Sequence, residues 1–244
     1  MIVYGRNPVR EALRGRRAEN VRDVWATAAA AREPWLRERS VRIVSAEELE
    51  RRCGSASHQG VCAEAGPYRY VSAGELLDAG GGVLVALDQV QDPQNLGSIC
   101  RTAECAGADG VLIPERRAAE VTPAVCKASA GAVEHLPVAR VRNVADLLVE
   151  ARKAGYWCYG ASAPEPGGGH QPVPYDRPDY SGAGVVLVLG SEGKGLRPRV
   201  AGACDELIAL PQRGRIESLG VAAAAAALLY EILQDRSASL DKGT

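Results

Sequence analysis

Histidine is scarce in this 244-residue chain, with 3 residues, and lysine numbers 4 beside 25 arginines. None of the histidines falls where a catalytic base would be expected. His58 lies in the N-terminal part, His135 at a strand entry and His170 in a Pro/Gly-rich loop. Cysteines occur at 53, 62, 100, 105, 126, 158 and 204, an odd number with no Cys-x-x-Cys spacing. That argues against a disulfide framework and for buried, reduced thiols in a reducing compartment. No apolar run approaches the ~20 residues of a membrane-spanning helix, and the alanine-rich stretch 221–229 is far too short. The N-terminus, MIVYGRNPVREAL, lacks the layout of a secretory signal. A cytoplasmic protein without membrane contact or a metal ion is the expectation. Net charge is also nearly absent, −1 at pH 7, so the whole chain carries no electrostatic signature of nucleic-acid binding.

Hydrophobic residues make up 46% of the chain, enough for a substantial core, and the length suits one large or two small domains. Charge is unevenly spread. Residues 1–67 hold 12 arginines, no lysine and 9 acidic residues, so this part is net +3 and the rest net −4. A mildly basic N-terminal part is compatible with RNA.

Residues 1–67 alternate short helical and strand signals and read as a small α/β domain. Asn7-Pro8 before Val9, Ala12 and Leu13 predicts a helix with proline in its first turn. Strands are expected at 21–25, 41–44 and 61–65, and helices at 28–38 and 46–52. Ser45 caps the second helix, with Glu48 at the capping-box position. Residues 68–80 read as a linker, and 81–244 as the main α/β domain. There the pattern predicts strands at 83–87, 109–113, 136–141, 156–160, 184–189 and 206–210. Helices are expected at 96–107, 123–130, 143–154, 197–203 and 221–236. Val185 to Leu189 is apolar at every position, as in a parallel strand covered on both faces. The Pro/Gly-rich stretch 162–182 reads as a mobile surface loop, and 237–244 as a frayed tail.

Three stretches of the main domain carry chemistry. The first, Leu87 to Thr102, runs from a strand through a polar loop with Asp92, Pro93 and Asn95 into a helix. Leu96, Ile99, Cys100, Ala103 and Ala106 form its apolar stripe, and Asn95, Ser98, Arg101 and Thr102 fall on the polar side. Gly97 keeps the first turn bare, so that something can approach the backbone closely. The second, Val188-Leu-Gly-Ser-Glu-Gly-Lys-Gly-Leu196, is a buried strand ending in a glycine-rich loop with a carboxylate. Open α/β sheets bind ligands outside the carboxyl ends of their strands. Gly190-Ser-Glu-Gly193-Lys194-Gly195 is too short between its glycines for a P-loop and has no GxGxxG, so nucleotide-triphosphate and dinucleotide sites are excluded. The third, Leu210-Pro-Gln-Arg-Gly-Arg-Ile-Glu-Ser-Leu219, is a strand-to-helix loop leading into Gly220 and an alanine-rich helix.

Taken together, these stretches resemble the three motifs of the SpoU/TrmH branch of the SPOUT superfamily, RNA ribose 2'-O-methyltransferases. The first matches at Asp92, Pro93, Asn95, Gly97, Ile99, Arg101 and Thr102. The second matches at Gly190-Ser191-Glu192-Gly193 and Gly195-Leu196, and the third at Leu210-Pro211, Gly214 and Glu217-Ser218-Leu219. Ser129 to Pro137 resembles a further family signature. Tyr4-Gly-Arg-Asn-Pro-Val and His58-Gln59-Gly60 resemble the ends of the family's L30-like substrate-binding domain. The likeness runs over about residues 2 to 234.

The resemblance implies a small L30-like α/β N-terminal domain and a SPOUT α/β domain with a parallel sheet and a deep C-terminal trefoil knot. It implies a homodimer, with each active site near the subunit interface. S-adenosylmethionine is the implied cofactor, held around Leu189, Gly190, Gly193, Leu210, Ile216, Ser218 and Leu219. RNA, foremost 23S rRNA, is the implied substrate; transfer RNA is the alternative, as is a catalytically weakened knotted RNA-binding protein. Asn95, Arg101, Glu192 and Ser218 are the implied catalytic set. Arg101 is a candidate base or phosphate anchor; a guanidinium of pKa above ~12 suits the anchor better, and the base stays open. The family motif usually continues Ser-Leu-Asn-Val-Ser, whereas this chain reads Ser218-Leu219-Gly220-Val221-Ala222. The missing amide bears on catalysis rather than on cofactor binding, and a glycine loosens the helix start.

Overall fold

A computed structural model describes residues 1–163, 171–216 and 218–241. His170, Glu217 and the last three residues of the expected frayed tail lie outside the described residues. In the N-terminal part the elements are β1 (Ile2–Tyr4), α1 (Arg6–Ala12), β2 (Val21–Ala26), β3 (Arg42–Ile43), α2 (Ala46–Cys53) and β4 (Val61–Ala65). Helix α3 (Ala73–Asp78) follows. The main domain continues with β5 (Val83–Asp88), α4 (Pro93–Ala106), β6 (Gly110–Pro114), α5 (Pro123–Ala128), β7 (Val138–Val141) and α6 (Val144–Lys153). It ends with β8 (Tyr156–Ala161), β9 (Val173–Pro174), β10 (Gly184–Gly190), α7 (Pro198–Ala201), β11 (Glu206–Ala209) and α8 (Val221–Asp241).

The main domain is α/β, with a seven-stranded sheet in the order β7-β6-β5-β10-β8-β11-β9. All its strand pairings are parallel. Strands β5 and β10 lie at its centre, and β5 is buried along its whole length. Their alternate residues feed two cores, as a period of two requires. Val83, Val85, Leu87, Val185, Leu187 and Leu189 pack with α4 and α8. Leu84, Ala86, Val186 and Val188 pack with α3 and α6 on the opposite face. The register Gly190↔Asp88 sets the ends of the two central strands level, so their loops open at one place.

The N-terminal sheet has the order β1-β4-β2-β3. Strand β1 was not expected from the sequence; three residues are too few for a period-two signal. The expected helix 28–38 is two 3-10 turns, Ala30–Arg32 and Pro34–Leu36. Pro34 is the reason: it forces Glu33 to an extended ψ of 135° and breaks the run. Ser45 caps α2 by accepting from Glu48 N, but the Glu48 carboxylate pairs with Arg51 and Arg52 instead of closing the box.

The stretch expected as a linker is packed structure. Tyr68 donates its hydroxyl to Val133 O at 3.0 Å, Val121 N donates to the Tyr70 hydroxyl at 2.9 Å, and Val71 bridges to Ala139 of β7. Helix α3, closed by a Ser72/Glu75 capping box, buries Leu76 and Leu77. The N-terminal part therefore sits directly on the main domain. At the seam Arg17, 2% exposed, pairs bidentately with the buried Glu134 and donates to Gly66 O at 2.9 Å.

Of the expected mobile loop, residues 171–182 are more ordered than expected. Strand β9 adds to the sheet edge, and Tyr180 is buried with its ring edge-on to Tyr159 at 4.8 Å. Of the cysteines, Cys62, Cys100, Cys126 and Cys158 are buried, Cys53 and Cys204 are partly buried and Cys105 is exposed; all are free. Burial pushes the Cys100 and Cys126 thiols up to about 12, so both stay protonated at neutral pH.

Candidate functional site

The loops after β5, β10 and β11 converge at the carboxyl ends of the strands, where an open parallel sheet places its ligands. The loop after β10 folds back on itself. Ser191 and Gly195 exchange two backbone hydrogen bonds, at 3.1 and 3.0 Å. Gly190 is required by that closure: a Cβ there would stand 2.2 Å from the Gly195 carbonyl carbon. Gly193 and Gly195 take φ of +77° and +62°, the left-handed region that glycine enters without penalty.

A clamp holds the far end of this loop. Asp88, fully buried at the end of β5, accepts from Arg197 N at 2.9 Å and from Arg197 Nε at 2.8 Å. A buried carboxylate is tolerated only when paired, and here both oxygens are engaged. Sequence reasoning missed this pair, although an aspartate ending an otherwise apolar strand was the available signal.

The second and third motifs line one cleft of about 230 Å³, and the first reaches it through Asn95. Leu189, Gly190, Glu192, Gly193, Leu210, Ser218 and Leu219 of the expected set line it. So do residues the sequence reading did not select: Ala161 to Ala163 at the end of β8, Ile208, Gln212, and Ala224 and Leu228 of α8. Ala224 and the fully buried Ala225 let α8 approach closely, as the alanine run suggested. Asn95 is outside the lining but joins it through Glu192, donating from Nδ2 to Oε1 at 3.0 Å. Ile216 is 79% exposed and outside the lining. Arg101 is exposed on α4, also outside the lining, and its guanidinium has no recorded partner among the described residues. The neighbour that requires Gly97 is not a ligand but α5: a Cβ at Gly97 would stand 2.4 Å from Ala128 Cβ.

Electrostatically the cleft is unusual for a nucleotide site. Among the described residues its lining holds the Glu192 carboxylate and no lysine or arginine. Phosphate groups would find no counter-charge there, whereas a neutral or cationic ligand with an apolar body would be accommodated.

The profile of the SpoU rRNA methylase family matches residues 82–230. The chain belongs to the SpoU methylase family. A second profile, RNA 2'-O ribose methyltransferase substrate binding, matches residues 2–71. This SpoU chain is 34% identical to a putative TrmH family tRNA/rRNA methyltransferase of Staphylococcus haemolyticus, over 97% of this chain and 96% of that protein. It is 42% identical to an uncharacterized tRNA/rRNA methyltransferase of Synechocystis, over 75% of this chain but only 47% of that longer protein. Among solved structures it superposes on an AdoMet-bound rRNA methyltransferase from Sinorhizobium meliloti with a TM-score of 0.78 at 28% identity. That match covers 96% of this chain and 86% of the other. AviRb from Streptomyces viridochromogenes, in complex with AdoMet, gives 0.78 at 26%, over 98% and 90%.

Gly220 is the position where the SpoU motif departs. Its φ is +78°, so the glycine relaxes the helix entry rather than loosening it. Asparagine is among the few other residues that enter this region readily. Among the described residues, a Cβ at 220 would meet nothing closer than Glu192 Oε1, at 3.8 Å. Gly220→Asn should therefore fold normally and place an amide beside the Glu192–Asn95 pair. Its transfer rate should rise by the worth of one hydrogen bond, about 0.5–1.5 kcal/mol or two- to tenfold. Single-turnover methylation by both proteins checks this; an unchanged or lower rate means the Glu192 carboxylate needs no third partner.

Proposed function

We propose that the chain is a cytoplasmic, S-adenosylmethionine-dependent methyltransferase acting on a ribose 2'-hydroxyl of RNA, in 23S rRNA. The observation that carries the reading is the carboxylate-bearing cleft lined by the second and third motif loops, with no cation among its described lining residues and with Asn95 of the first motif held on Glu192. A sulfonium ligand suits it: apolar walls from Leu189, Ile208, Leu210 and Leu228 cover an adenosine, and Glu192 opposes the positive sulfur. When bound, the cofactor supplies an electrophilic methyl group. The residues around it hold the two reactants in line, which can supply much of the rate. Asn95 fixes the Glu192 carboxylate, and the backbone of Gly190, Leu210 and Leu219 orients the nucleoside. Ser218, whose hydroxyl accepts from Gly220 N at 3.1 Å, shapes the entrance to α8. Arg101, exposed on α4, anchors the RNA phosphate and orients the ribose.

Two coarser features support the finer choice. Residues 2–71 match a substrate-binding profile and form the basic part of the chain, which favours a structured ribosomal target over transfer RNA. The insertion of β10 between β5 and β8, with α8 packed back on α4, supports a knotted C-terminal passage. We take the active form to be a homodimer.

The decisive experiment pairs calorimetry with transfer. S-adenosylmethionine should bind in the micromolar range or tighter, and ATP and NAD not at all. Tritiated methyl should pass to 23S rRNA from a strain lacking this gene, and not to its transfer RNA. Arg101→Ala should abolish transfer while leaving cofactor affinity nearly intact, and Arg101→Lys should restore little. Cofactor binding that falls with Arg101→Ala would move that residue into the cleft; ATP binding without S-adenosylmethionine binding would remove the reading itself.

A further inference from the structure

We infer that a second groove, beside the cofactor cleft, seats the target nucleotide, with Arg177 and Arg213 as phosphate anchors and Tyr175 as the face on which a base stacks. This rests on the RNA-methyltransferase reading and names the substrate subsite within it.

The groove has a volume of about 960 Å³. It shares Ala163, Gly193, Leu210, Gln212 and Ser218 with the cofactor cleft, so the two are adjoining compartments of one site. One wall is Leu210 to Arg213, the chain leaving β11. The other is Pro174 to Arg177, from the stretch between β8 and β10. That second wall is fixed to the sheet. Val173 and Pro174 pair with Ile208 and Ala209, and Tyr175 N donates to Ala209 O at 3.1 Å. The buried Tyr180 donates its hydroxyl to Tyr175 O at 2.5 Å. Both walls therefore spring from neighbouring strands, and the width between them is set by the sheet.

Its chemistry contrasts with that of the cleft. Arg177 and Arg213 line it, and neither guanidinium has a recorded partner among the described residues. Asp176 is the one carboxylate among the described lining residues. Exposed arginines without carboxylate partners, flanking a half-buried tyrosine, form the combination that holds a single RNA strand: cations along the backbone and a ring under a base. A ribose whose 2'-hydroxyl must reach the cofactor has phosphates on both sides, so phosphate anchors are needed beside the cleft and not within it. The arrangement puts them there.

The test uses the full chain and a fluorescein-labelled fragment of unmethylated 23S rRNA, read by anisotropy. Arg177→Ala and Arg213→Ala are exposed-surface changes and should fold normally. Each should weaken RNA binding roughly tenfold, the worth of a charged hydrogen bond. The log–log salt slope should become shallower by about 0.7 for each phosphate left without its arginine. Tyr175→Ala should weaken binding by roughly five- to a hundredfold and Tyr175→Phe hardly at all, because stacking needs the ring and not the hydroxyl. S-adenosylmethionine affinity should stay at the wild-type value in all four. Wild-type RNA affinity in the double arginine variant overturns the proposal and leaves the methyltransferase reading standing. So does a loss of cofactor affinity, which would give the groove to the methionine end of the cofactor, or a change of oligomeric mass, which would give it to a second copy. A wild-type chain that neither binds nor methylates RNA removes both readings.

Discussion

Arg17→Ala should lower the unfolding free energy by about 3–5 kcal/mol, because it leaves the Glu134 carboxylate buried without its partner. Both side chains are almost fully buried at the seam between the N-terminal part and the main domain. The guanidinium also donates to Gly66 O and lies 5.3 Å from the centre of the Tyr68 ring, so its removal opens a hole as well as orphaning a charge. In a chain of this length the midpoint should fall by roughly 10 °C. The control is Arg17→Met with Glu134→Leu, which removes both charges and should recover most of the loss. Urea titration of the three proteins checks the ranking. A single variant as stable as the double would mean that water reaches Glu134 and the seam is not dry.

Gly190→Ala should abolish S-adenosylmethionine binding, with a loss of at least a hundredfold. The added methyl would sit 2.3 Å from the Gly195 carbonyl oxygen and 2.4 Å from Leu196 N. These are backbone atoms and cannot rotate away, so the loop must open and the two Ser191–Gly195 hydrogen bonds must break. The chain should still fold, since β10 stays paired with β5 and β8 up to that point. Calorimetry with circular dichroism separates the outcomes. Retained affinity would show that the cofactor does not rest on the closed loop.

The central strands and the helices that flank them were legible because their signals are local. Val185 to Leu189 is apolar throughout, and the stripe of α4 repeats at three and four. The cleft was legible through the two loops that line it, after β10 and β11, but not through the contacts that assemble it. Asp88 and Arg197 are 109 positions apart, and no periodicity links them. Gly97 showed that something comes close, but not that the neighbour is Ala128. Residues 68–80 looked like a connector because their polar and glycine content hides how Tyr68, Tyr70, Leu76 and Leu77 are used. In 171–182 the proline and glycine content outweighed the residues that anchor the segment, Val173 and Pro174 in β9 and the buried Tyr180.

The central position of β10 has a consequence for how the chain is made. Its partner β5 ends at Asp88, and the strand that fills the gap ends at Gly190. A ribosome adding ~5–20 residues per second leaves that edge open for roughly 5–20 s after β5 emerges. During this interval β5 offers unpaired backbone along a strand that is apolar from Val83 to Leu87, the kind of edge that recruits foreign strands. The half-made chain is thus the aggregation-prone species, and a chaperone that shields β5 should matter more to yield than any surface residue of the finished protein. The cofactor cannot help at this stage, because the cleft does not exist until β10 has entered the sheet.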